Sequence, residues 1–71
     1  MVNPERVIRL EELLRFTDRH IEILQLQLQY EKVAHAGVES ALKIASIEQR
    51  LERIRAKREE FATLLEGASR E

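Results

Sequence analysis

The sequence predicts an all-α chain, an antiparallel two-helix hairpin that assembles as a homodimeric four-helix bundle with coiled-coil-like packing. Three observations carry this expectation. Apolar residues recur in steps of three and four along most of the chain, the spacing of a helical seam. Between Pro4 and Gly67 the only glycine or proline is Gly37. With 71 residues, 44% hydrophobic and 35% charged, the chain is small for a core that must close by itself.

The first helix has a clear start. Asn3 can accept from free backbone N–H groups, Pro4 has no N–H to leave unpaired, and Val2 and Val7 stand at the spacing of a hydrophobic staple. The helix should run over about residues 4–36. Within it, Leu24 to Tyr30 alternates apolar and polar residues as a strand would. Leu, Gln and Glu are poor strand formers, no turn residues bound the run, and a lone strand has nothing to pair with, so helix is the better reading. Gly37 then suits the left-handed residue behind a helix, with Val38 able to touch Val33. The expected turn covers residues 37–39, Ser40 caps the second helix, that helix spans about residues 40–66, and residues 67–71 fray. All of residues 1–71 form one domain.

Folding the chain about Gly37–Val38 pairs Val7 with Ala68, Leu10 with Leu65, Leu14 with Phe61, Ile21 with Ile54, Leu24 with Leu51 and Leu28 with Ile47. Every apolar seam residue meets another. The exceptions, Thr17 and Arg58, fall opposite each other, with Asp18 as the nearest carboxylate; together they predict a polar layer that fixes register and oligomeric state. The same register faces Asp18 to Lys57, Glu22 to Arg53 and Glu31 to Lys43. One continuous helix is the competing arrangement. Glycine costs a helix only about 1 kcal/mol, and three-four spacing also runs through Ile23, Leu26, Tyr30, Val33, Gly37, Ser40, Ile44 and Ile47. An opened, swapped dimer would use it.

A second apolar stripe, Phe16, Ile23, Leu26, Tyr30 and Val33, points away from the seam, with a smaller patch of Val38, Leu42 and Ala45 near the turn. A helix apolar on two faces is normally sandwiched, so these residues are the expected interface, with a second copy and with another protein.

The chemistry points away from an enzyme. With 12 basic and 13 acidic side chains and a net charge of −1, there is no global field to attract nucleic acid or an anionic membrane. The absence of cysteine excludes disulfides and thiolate metal sites. His20 and His35 would stand about 22 Å apart on one helix, too far to share a site. Glu31 and His35 are one turn apart, but the Glu-x-x-His motif of bundle metal sites is missing. No catalytic residue, metal or cofactor is therefore expected. The apolar runs are too short to span a bilayer, and the polar opening Met1-Val2-Asn3-Pro4 predicts neither a signal nor a transit peptide. A cytoplasmic protein with no membrane partner follows as the expectation.

One functional alternative stands out. Lys43, Arg50, Arg53 and Lys57 form a basic row along the second helix that could track an RNA or DNA backbone. Interleaved glutamates and the lack of accompanying aromatics favour protein–protein assembly, as adaptor, regulatory subunit or scaffold, over a dimeric nucleic-acid-binding regulator. In length and hairpin layout alone, the chain is similar to the small plasmid copy-control four-helix bundle that binds paired RNA loops, with which it shares no motif.

Overall fold

A computed structural model describes residues 1–34 and 37–70, residue 34 by its backbone alone. Two helices, α1 (Pro4–Ala34) and α2 (Val38–Arg70), pack against each other along their length. The molecule is a rod of 55 × 14 × 11 Å.

Helix α1 starts as the local chemistry dictates. Asn3 Oδ1 accepts from the N–H groups of Glu5 at 3.1 Å and Arg6 at 3.3 Å, and its carbonyl accepts the Val7 N–H at 3.2 Å. The expected end of this helix at residue 36 lies outside the described residues, as does His35. Gly37 has φ +115°, a region that L side chains rarely enter, and this bend turns the chain back. The Val33–Val38 contact expected across the turn buries neither side chain, since they remain 82% and 79% exposed.

Helix α2 departs from expectation at both ends. It begins at Val38, and the Ala41 N–H donates to the Gly37 carbonyl at 3.1 Å, so Gly37 holds the capping position assigned to Ser40. Glycine is an acceptable N-cap, and its positive φ lets helix start at the next residue. Ser40 instead turns into the seam and is 7% exposed. At the other end α2 continues through Gly67 to Arg70. The reason is packing, because Ala68 is a seam residue only 3% exposed, and its burial offsets the helix cost of Gly67.

The seam follows the expected register. Leu24, Ile47 and Leu51 form the buried centre, with Ile21, Leu28 and Ile54 packed against it. Leu10 and Ala68 are buried towards the chain ends. Of the expected polar layer, Thr17 is buried and Arg58 pairs with Asp18, but the pair stands outside the core. Thr17 is buried and its hydroxyl donates to the Leu14 carbonyl at 2.9 Å, so it is satisfied within its own helix. Arg58 does not enter the core. It leaves the seam and pairs with Asp18 at the surface, the two side chains 45% and 50% exposed. Keeping a guanidinium in water avoids a desolvation cost of several kcal/mol. The hydrogen bond and charge of Asp18 raise the Arg58 pKa above its ordinary value, so this guanidinium stays charged throughout the ordinary pH range.

The expected cross-helix charge pairs also change. Asp18 takes Arg58, the partner expected for it in the polar layer, and not Lys57, which turns to Glu60 on its own helix at 3.5 Å. Neither Glu22–Arg53 nor Glu31–Lys43 is an ion pair among the described residues.

Candidate functional site

The surface takes its character from how the seam rotates each helix. Because both helices spend one stripe on each other, the remaining residues sort into two broad faces and two outer edges. On one broad face, a groove between the helices is lined by Leu26, Gln27, Tyr30, Glu31, Lys43, Ser46, Ile47 and Arg50. It adjoins a second depression, lined by His20, Arg50, Arg53, Ile54 and Lys57, and Arg50 belongs to both. On the opposite face, Gln25, Leu28, Gln29, Lys32, Val33, Glu48, Leu51, Glu52 and Arg55 line a third.

The heptad phase extends these assignments along the rod. The first face carries Arg6, Arg9, Lys43, Arg50, Arg53 and Lys57 against Glu39 and Glu60. The other carries Glu11, Asp18, Glu22, Glu48, Glu52, Glu59 and Glu66 against Arg15, Lys32, Arg55 and the Arg58 that pairs with Asp18. A near-neutral sequence thus becomes a hairpin with one basic and one acidic face. Sequence reasoning missed this polarity, although the signal was present: the seam register alone determines which charges share a side.

The expected interface residues stay in solvent. Phe16 is 70% exposed, Ile23 45%, Leu26 67% and Tyr30 63%. With Val33 they follow the outer side of α1: Phe16, Ile23 and Tyr30 lean towards the basic face, whereas Leu26 and Val33 lie on the outer edge, where Val33 also lines the depression on the opposite face. Val38, Leu42 and Ala45 are exposed as well, but they lie on the far side of α2. Leu42 stands opposite the α2 seam and points away from α1, so the two patches do not form one continuous surface.

Lys43, Arg50, Arg53 and Lys57 are all exposed and lie on one side of α2. Among the described residues, Lys43, Arg50 and Arg53 have no ion-pair partner. Within the same groove, Glu31 Oε2 is buried without a hydrogen-bond partner. No cluster of three His, Cys, Asp or Glu side chains able to hold a metal occurs among the described residues, and no described helix is long and apolar enough to cross a membrane. The Glu31–His35 pair cannot be placed, since residue 35 is outside the described residues. Compared with family models, with curated proteins and with solved structures, the chain matches none.

Proposed function

We propose that the chain is a non-enzymatic assembly module, an adaptor or scaffold that completes its packing with helices from outside itself, first of all those of a second copy. The observation that carries this reading is the exposed α1 stripe of Phe16, Ile23, Leu26, Tyr30 and Val33. Four large apolar side chains and a tyrosine on one side of one helix exceed the scattered apolar residues of an ordinary surface. In the homodimer, the α1 stripes of two copies meet about a two-fold axis, giving four helices with α1 at the centre.

The test is mass against concentration by light scattering and sedimentation. A species of twice the 8.3 kDa chain mass is expected. Ile23→Asp should convert it to a monomer of unchanged helicity. A wild-type monomer at all concentrations overturns the homodimer.

A second reading rests on the cations at Lys43, Arg50 and Arg53 and on Lys57 beside them: a dimeric RNA- or DNA-binding regulator. A salt-dependent mobility shift that disappears in the Arg50/Arg53/Lys57 triple alanine variant would establish it.

A further inference from the structure

We infer that the groove on the basic face is a docking site for an acidic amphipathic helix supplied by another protein. This rests on the assembly reading and names the chemistry of a partner that competes with the second copy for Leu26 and Tyr30, so the Ile23→Asp monomer is titrated beside the wild type. Leu26 and Tyr30 form the α1 wall, Lys43 and Arg50 the α2 wall, and Ile47 lies between them. Past Arg50 the depression continues along Arg53, Ile54 and Lys57. The whole spans about four helical turns, or roughly 20 Å. An apolar ridge of a third helix fits a channel between two packed helices, read by residues three and four apart.

Charge selects the occupant. The α2 wall presents Lys43, Arg50 and Arg53 with no ion-pair partner among the described residues. A second copy offering the same face would bring like charges together. The groove on its opposite face is lined by Glu48 and Glu52 but also by the cations Lys32 and Arg55, and Val33 is the one large apolar side chain of that lining that is exposed, so it offers neither a uniformly acidic flank nor an apolar row to fill this groove. A phosphate backbone would neutralise the cations but leave the exposed apolar wall of Leu26 and Tyr30, 67% and 63% exposed, uncovered. A helix with apolar residues on its inner stripe and Asp or Glu on its flanks satisfies both. The buried Glu31 Oε2, without a partner, adds one requirement: a hydrogen-bond donor on the occupant near that end of the groove.

The experiment measures fluorescence anisotropy of labelled helical peptides titrated with the full chain. Two peptides share one apolar heptad stripe and carry either Glu or Lys at all flanking positions. The Glu peptide should bind at least tenfold more tightly, with the advantage shrinking as salt rises. Arg50→Glu/Arg53→Glu, both exposed and checked for retained helicity by circular dichroism, should reverse the preference. Equal binding of the two peptides overturns the proposal, as does a preference unaffected by the double reversal. Tighter binding to anionic lipid vesicles or to duplex RNA than to the Glu peptide at the same salt also overturns it. Failure here leaves the homodimer standing, because Ile23→Asp acts on mass and not on peptide preference. A monomer that still selects the Glu peptide would retain this site and remove only self-association.

Discussion

At the scale of single residues, two glycines give opposite tests of the same substitution. A methyl group at Gly37 would meet nothing within 4 Å, yet φ +115° makes any side chain there strained. Gly37→Ala should therefore destabilise the hairpin by about 1 kcal/mol or more. Gly67 also has open space around it, but it sits in regular helix. Gly67→Ala should stabilise by up to about 1 kcal/mol. Thermal melts of the two variants moving in the same direction would contradict this account. Asn3→Ala removes the acceptor of two backbone N–H groups and should cost about 1 kcal/mol, or roughly 4–8 °C in Tm. Arg58 occupies a seam position while its charge sits outside in an exposed pair with Asp18, and solvent and salt screen such pairs so that they contribute little. Arg58→Leu exchanges that pair for an apolar side chain beside Thr17. A rise in Tm of several degrees is expected; an unchanged or lower Tm would show that the pair contributes more than its exposure implies.

At the scale of elements, the seam was legible because it is periodic and long. Among the described residues, Leu10, Leu24, Ile47, Leu51 and Ala68 are the buried apolar ones, and all lie on the two stripes read from spacing. What could not be read was local. Helix α2 starts at Val38 because Gly37 takes a backbone conformation that allows it, and residue types around Ser40 do not reveal that conformation. Its end lies beyond residue 66 because Ala68, opposite Val7 in the seam register, is buried, which outweighs the helix cost of Gly67. Arg58 illustrates a further limit. Periodicity places a Cα on the seam, whereas a long side chain chooses water when a carboxylate such as Asp18 is within reach. The α1 stripe was visible in the sequence, but its separation from Leu42 on the far edge of α2 needed the two helices placed together. Leu51, 3% exposed at the centre of the seam, sets the cooperativity of the pair. Leu51→Ala should cost about 2–5 kcal/mol, enough to abolish a sharp melt.

At the scale of the whole molecule, the surface area is the quantity on which the proposed assembly bears. It exposes 5747 Å² at 8.3 kDa, whereas a compact monomer of that mass exposes about 4600 Å². Its radius of gyration is 16.2 Å, against about 11 Å for a compact chain of this length. The excess, about 1100 Å², is comparable with the roughly 800 Å² that each partner gives to a standard interface. Stability should accordingly depend on concentration: the melting temperature of the wild type should rise with protein concentration, and that of Ile23→Asp should not. A wild-type melting temperature independent of concentration would mean that the hairpin's own seam suffices.

The short connection at Gly37 also sets a distance. With one bend and two helices of similar length, Val2 and Ser69 lie at the same end of the rod, roughly 10 Å apart across packed helices. Were the bend to straighten into a single helix, those positions would separate by about 100 Å. Dyes at residues 2 and 69 of one chain therefore report a closed or an extended form without ambiguity, even inside an assembly of unlabelled copies.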